Sequence, residues 1–191
     1  MARRKKHIKS RPAIAVLGEG ITEREYFKSL KKHKKLPFKF KPEIPKHSDI
    51  RSIVSKANDL SRVFDIVFCI IDLDRIYTNP SEKRLFNELK SKNKHLYFIE
   101  HYPCFEIWLL LHYEYSTREY VSCEHLIKFL KRYISDYQKS EHYLNKKDLY
   151  QFLYEGFDFA MKNAVRLEKN NLSSKCGMYK VMLQLDKLSR F

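Results

Sequence analysis

The sequence predicts an α/β fold: a mostly parallel sheet flanked by helices, with a C-terminal helical extension. Three observations carry this. Continuous apolar runs without period-two alternation, at residues 13–17 and 66–71, suit strands covered on both faces, as parallel strands are. Over residues 12–112 such runs alternate with stretches of helical periodicity, the order of βαβ units. Glycine is scarce, 4 in 191 residues, which argues against a turn-rich all-β fold.

The elements follow in order. Residues 1–11 hold Arg3, Arg4, Lys5, Lys6, Lys9 and Arg11 without apolar periodicity, and read as a basic disordered arm. The first strand, 13–17, leads into a helix from about Thr22 to Lys34. There Thr22 and Glu25 match a capping box and Tyr26, Phe27 and Leu30 form the apolar stripe. A second strand covers 38–44, weakened by Pro42. Ser48 or Asp49 caps a helix to about Ser61, with Ile50, Ile53, Val54, Ala57 and Leu60 on one side. Residues 66–71 are the clearest buried strand and end at Asp72. Asn79-Pro80 starts a helix to about Ser91. Residues 95–99 are a further strand, and from Phe105 onward the pattern is helical. No strand is expected in 113–191. Helices are expected there at about 122–134, 146–154, 157–169 and 176–189, with Gly156 as a C-cap. The organisation is therefore an arm (1–11), an α/β core (12–112) and a helical extension packed on that core (113–191).

Composition narrows the partners. The chain carries 38 Lys+Arg against 23 Asp+Glu, a net charge of +15, which points to an anionic partner such as nucleic acid. Cys69, Cys104, Cys123 and Cys176 show no CxxC spacing, which excludes an ordinary zinc site and fits reduced thiols in a cytoplasmic protein. The basic start is followed by polar residues, unlike a signal peptide. Apolar runs such as 66–71 and 107–111 are far too short to span a bilayer, so no membrane association is expected.

Against this basic background, carboxylates cluster at two strand ends: Gly18-Glu19-Gly20-Ile21-Thr22-Glu23 and Asp72-Leu73-Asp74. Crowded carboxylates repel one another, and a hard divalent cation such as Mg²⁺ or Mn²⁺ relieves that repulsion. Ligands gather at the carboxyl ends of parallel strands. On an extended segment Asp72 and Asp74 point the same way, with Leu73 turned into the core. The glycines do not make a dinucleotide fingerprint, because Glu23 stands where the third glycine belongs. Glu19, Glu23, Asp72 and Asp74 are thus the candidate metal ligands. Glu19 and Glu106 are the candidate catalytic carboxylates, Glu106 following Pro103 in the first turn of the next helix. Bland readings stand beside these: Asp as a turn residue, and Glu23 and Glu106 as complements of helix dipoles. His101 and His112 offer general bases, although a lone histidine is more often structural. Arg3, Arg4, Lys5, Lys6, Lys175 and Lys180 are the candidate phosphate contacts. The basic and aromatic residues interleaved in the extension, among them Lys128, Arg132, Tyr133 and Tyr137, suit either base stacking or ordinary helix packing.

These residues carry a family resemblance. Gly18-Glu19-Gly20-x-Thr22-Glu23, Asp72-x-Asp74 and the stretch Pro103-Cys104-Phe105-Glu106-Ile107-Trp108-Leu109-Leu110-Leu111-His112 resemble the RloB-like (AbiLii-type) proteins. The first two also resemble the topoisomerase–primase (Toprim) nuclease domains of the overcoming-lysogenization-defect family. The resemblance implies a Toprim-like sheet and Mg²⁺ or Mn²⁺ on Glu19, Glu23, Asp72 and Asp74, with Glu106 as the family-specific addition. It also implies an antiviral, abortive-infection role beside a partner ATPase. The expected activity is metal-dependent hydrolysis of DNA or RNA, with homodimerisation left open. The rival expectation is a non-enzymatic subunit that binds nucleic acid or the ATPase.

Overall fold

The computed structural model describes residues 12–36, 39–45, 47, 49–170 and 172–189. The basic arm, the expected strand start at Phe38 and the alternative cap Ser48 lie outside them.

Five strands form one sheet in the order β2-β1-β3-β4-β5: β1 (Ile14–Leu17), β2 (Phe40–Glu43), β3 (Ile66–Asp72), β4 (Tyr97–Tyr102) and β5 (Lys175–Cys176). β1 pairs in parallel with β2 and β3, β3 in parallel with β4, and β5 closes the far edge antiparallel to β4. Successive side chains of the central strands alternate between two cores, which is why their apolar runs are unbroken. Ile14, Val16, Phe68, Ile70 and Ile99 join one core. Ala15, Leu17, Val67, Cys69 and Ile71 join the other.

That second core is closed by α2 (Ile50–Ser61), α3 (Asp74–Thr78) and α4 (Pro80–Lys92) through residues such as Ile53, Ala57, Ile76 and Phe86. The first core is closed by α1 (Ile21–Lys34), α5 (Glu106–Leu110) and the extension: α6 (Cys123–Leu130), α7 (Glu141–Lys147), α8 (Leu149–Phe152), α9 (Phe157–Lys169) and α10 (Met178–Ser189). Leu126, Leu144, Tyr150, Ala164 and Val181 of the extension share one cluster with the sheet residues.

Local sequence explains most boundaries. Pro42 is tolerated because β2 is an edge strand, where one side of the ladder needs no donors. Asp49 is the cap of α2, its Oδ1 accepting the Ser52 N–H at 3.0 Å. Asn79 caps α4 by accepting the Ser81 N–H at 3.0 Å, with Pro80 at the first helical position.

Several expectations are corrected. The cap of α1 is Gly20, not Thr22. The third helical residue, Glu23, folds back to accept the Gly20 N–H at 3.2 Å, which leaves Thr22 inside the helix and buried. Asp72-Leu73-Asp74 is not extended: Leu73 is helical (φ −95°, ψ −6°) and Asp74 begins α3. The helix expected over 146–154 is two, α7 and α8, broken at Asp148 (φ 49°). Asp148 bridges back to α1 through Ser29, Lys32 at 2.7 Å and His33 at 2.9 Å, and these contacts hold the left-handed turn. Gly156 closes a single 3-10 turn (Tyr154–Gly156) that runs directly into α9, rather than capping the end of an α-helix, and a Cβ there would lie 2.5 Å from the His112 carbonyl oxygen. β5, at two residues, is too short to show any periodicity in sequence.

Cys104 and Cys123 form a disulfide, which corrects the reading of reduced thiols at these positions. Cys104 ends the turn after β4 and Cys123 opens α6, and the packing of α6 on α5 brings their Cα atoms to 5.5 Å. Cys69 and Cys176 are free and buried, as expected of Cys69.

Candidate functional site

β1, β3 and β4 lie side by side and run the same way, so their carboxyl ends share one edge of the sheet. Each end delivers acid. Glu19 sits in the turn after β1, and Glu23 in the first turn of α1. Asp72 is the last residue of β3, and Glu106 the first of α5, reached from β4 through Pro103. Gly18 makes this possible locally: a Cβ there would lie 2.6 Å from the Glu23 Cβ, so only glycine lets that side chain fold back.

Carboxylate-to-backbone hydrogen bonds tie the three strand ends together. Glu19 Oε1 accepts the Asp72 N–H at 3.0 Å. Asp72 Oδ1 in turn accepts the Phe105 N–H at 2.9 Å, one residue before Glu106. Glu106 is 0% exposed. Its Oε1 accepts hydrogen bonds from Thr22 Oγ1 and Tyr137 OH, each at 2.9 Å, and lies 3.1 Å from Lys139 Nζ. Its Oε2 accepts from Lys139 at 3.2 Å and touches Cys123 Sγ at 3.5 Å, a contact only, since a disulfide sulfur carries no proton. Helix-dipole complementation does not account for this arrangement, because Glu106 gathers partners from three segments.

Glu23 is different. One carboxylate oxygen holds the Gly20 N–H, while Oε2 is buried with no partner among the described residues. An unpaired buried acceptor is costly.

Burial and mutual repulsion shape the charge state. Desolvation, with Glu23 and Asp74 adding to it, pushes Glu19 up to about 8 against the Asp72 N–H and Arg75. Desolvation and Glu106 push Glu23 up to about 7, with Lys139 opposing. Desolvation raises Asp72 well above its ordinary value, and Glu23, Glu19 and Glu106 add to that. Burial alone would lower Lys139, but Glu106, Glu23 and Asp72 outweigh it and raise it. The ammonium is therefore a fixed cation facing a cluster of acids.

Glu19 and Asp72 line a cavity of about 10 Å³ together with Asp49, Arg75 and Glu82, the scale of a single small occupant. Asp74 is half-buried, and its Oδ1 accepts the Arg75 N–H at 2.6 Å at the start of α3. The helical Leu73 thus removes the period-two argument that paired Asp74 with Asp72, although Asp74 is near enough to raise Glu19. Among the described residues, three His, Cys, Asp or Glu ligand atoms lie within 4.8 Å of one another only at Cys104, Glu106 and Cys123. The two sulfurs there are bonded to each other. Glu19, Glu23 and Asp72 are neighbours with a wider spread. Their donors are all hard oxygens, and with the orphaned Glu23 Oε2 the set fits the chemistry of a hard divalent cation.

The other candidates fall elsewhere. Arg3, Arg4, Lys5 and Lys6 lie outside the described residues. Lys175 donates to Tyr77 OH at 2.8 Å and Lys180 to Glu168 at 2.7 Å. Both line a 350 Å³ cleft beside β5 with Lys90 and Glu100, to which none of the clustered acids contributes. His101 and His112 are buried, and desolvation lowers them to about 3 and about 4, so both are neutral at ordinary pH. Tyr137 and Lys139 complete the site, yet the sequence offers no signal for it: Tyr137 reads as one more stacking aromatic, and Lys139 lies in an irregular segment between α6 and α7. Thr22 lies within the Gly18–Glu23 motif, where its position at the helix start signals capping and hides its bond to Glu106.

A family model described as RloB-like protein matches residues 14–188, through the sheet and the extension alike. No curated protein and no solved structure matches the chain.

Proposed function

The chain belongs to the RloB-like family, and from that premise we propose that it is a Toprim-like nuclease, hydrolysing phosphodiester bonds of DNA or RNA with Mg²⁺ or Mn²⁺. The observation that carries this reading is the convergence of buried Glu23 with half-buried Glu19 and Asp72, mutually repelling, with one carboxylate oxygen left without a partner among the described residues.

Glu19, Glu23 and Asp72 would hold the cation, with Asp74 at the margin. When bound, the metal lowers the pKa of a coordinated water and stabilises negative charge on the leaving oxygen. The chain's own groups do the rest. Glu19, at about 8, is poised to take or hold a proton near neutral pH. Asp72 fixes the Phe105 N–H and with it the start of α5. Glu106 is held on both oxygens and acts as a positioning residue, aiming Lys139 at the acids, where an ammonium can meet the negative charge of a phosphodiester.

In this reading the protein is the cytoplasmic effector of a prokaryotic anti-phage system and works with a partner ATPase. A non-enzymatic subunit is the second reading, favoured by the spread of the carboxylates beyond 4.8 Å. No described helix is long and apolar enough to cross a membrane.

Calorimetric titration of Mn²⁺ into wild type and Asp72→Ala, paired with cleavage of labelled DNA and RNA with and without the ATPase, tests the proposal. Binding and metal-dependent cleavage that are both lost in Asp72→Ala support it. Metal binding without cleavage favours the subunit. Absence of metal binding overturns it.

A further inference from the structure

A second chemistry-bearing surface lies on the extension, away from the carboxylates. Two arginines converge on one phenyl ring: the guanidinium carbon of Arg118 is 4.1 Å from the Phe129 ring centre and that of Arg132 is 4.5 Å from it. The two cations are thus held no farther apart than the sum of those distances. Like charges brought this close repel, and neither has a carboxylate salt-bridge partner among the described residues, whereas Arg24 pairs with Glu25 and Arg62 with Asp59. Both are exposed, while Phe129 is half-buried and fixed in α6.

The pattern continues through the segment that carries Arg118. Arg166 of α9 stands 3.9 Å over the ring of Tyr115 and is also exposed without a carboxylate partner among the described residues. Tyr133, next to Arg132, is 41% exposed and stacks on Tyr113 at 5.0 Å and 10°, with its hydroxyl donating to Glu114. A guanidinium laid flat on a ring satisfies its face and leaves its N–H edge free for oxygen anions, preferably bidentate ones. Several such edges beside an exposed aromatic face match the chemistry of a nucleic-acid strand, with phosphates for the guanidiniums and bases for the ring. The surface is coupled to the acids by α6: its first residue, Cys123, touches Glu106, and Phe129 follows six residues later, about 9 Å along the helix.

We infer that the Arg118–Phe129–Arg132 stack, extended by Tyr133 and Arg166–Tyr115, is a docking surface for single-stranded nucleic acid that leads to the carboxylate site. This rests on the nuclease reading, but its test does not depend on catalysis. The full chain, in EDTA, is titrated into a fluorescein-labelled 20-nucleotide single strand by anisotropy over a range of salt concentrations. Wild type binds. Arg118→Gln/Arg132→Gln, with an unchanged melting temperature, binds at least tenfold more weakly, and its log–log salt slope is shallower by about 0.7 per lost contact. Lys31→Gln/Lys187→Gln, the same charge change on exposed lysines of α1 and α10, stays within about twofold of wild type. Equal losses in the two variants overturn the inference in favour of bulk charge, as does absence of binding by wild type. Mn²⁺ titration of the arginine variant separates the two readings: it binds metal as wild type does if the surface alone is altered. Should wild type bind the strand but no metal, the nuclease reading fails and the docking surface stands.

Discussion

The Thr22 hydroxyl donates to Glu106 Oε1 at 2.9 Å, so two helix-start residues 84 positions apart share one buried hydrogen bond. It joins the turn after β1 to the turn after β4. Tyr137 and Lys139 close on the same carboxylate from the extension. The site is therefore built by the sheet and completed by the irregular segment between α6 and α7.

The Glu106–Lys139 pair is expected to couple energetically. Glu106→Gln keeps an acceptor for Thr22 and Tyr137 but removes the anion. Lys139 is about a third exposed (35%), which screens the loss well below that of a fully buried broken pair. Destabilisation of about 1–2 kcal/mol is expected, and Lys139→Met in the same chain should recover part of it. A double-mutant cycle by urea unfolding reads the coupling, and strictly additive effects would reject it.

Asp72→Asn is expected to raise the melting temperature in EDTA while abolishing Mn²⁺ binding. Asparagine keeps the acceptor for the Phe105 N–H at 2.9 Å and removes a charge that burial and Glu23, Glu19 and Glu106 oppose. A lower melting temperature in EDTA would mean that the Asp72 charge is compensated within the fold.

Stability without metal should fall as pH rises from about 6.5 to about 8, the interval in which the buried histidines no longer offset the same two acids. Glu19 and Glu23 have folded values raised to about 8 and about 7 from 4.5, so over this interval the folded chain holds protons that the unfolded chain has released. Each group then lowers stability by about 1.4 kcal/mol per pH unit inside its own window, and the loss is complete above the folded value. Mn²⁺ binds the deprotonated form and should restore the melting temperature most at pH 8. A flat profile between about pH 6.5 and 8 in EDTA would show that these acids ionise freely in the folded state.

His101 and His112 act on the other side. Burial lowers them from 6.5 to about 3 and about 4, so the stability they contribute is full above pH 6.5 and is lost as pH falls toward the folded values. Relative to wild type, His112→Gln should therefore gain stability as pH falls from about 6 to about 4. Chemical denaturation at fixed pH steps measures it, and an unchanged acid limb would remove His112 from the account.

The Cys104–Cys123 bond spans 19 residues and ties the turn before α5 to the start of α6. Alkylation of the denatured, unreduced chain should modify Cys69 and Cys176 alone, and prior reduction should expose all four. Loss of a cross-link of this span is expected to cost about 3 kcal/mol in the Cys104→Ser/Cys123→Ser variant. Four modified cysteines without reduction would refute the pairing.

The sequence by itself determined the four parallel strands of the sheet, though not β5, and marked Glu19, Glu23 and Asp72 as strand-end acids. Continuous apolar runs such as 66–71 are consequences of burial on both faces, and Asp49 and Asn79 announce helix starts by local hydrogen bonding; both signals are short-range and survive in one dimension. Glu19, Glu23 and Asp72 were legible because a strand end is a place where chemistry gathers in any parallel sheet. Local rules misled where a distant partner outweighed them. Thr22 serves Glu106 rather than a cap, Leu73 turns helical so that Asp74 leaves the extended alternation, and Asp148 breaks a helix because Ser29, Lys32 and His33 hold it. Tertiary structure alone decided that Tyr137 and Lys139 belong to the site, that Cys104 meets Cys123, and that Arg118 and Arg132 share one ring. Each of these contacts joins segments whose spacing carries no period. Packing against the sheet brings them together, and no local propensity encodes them.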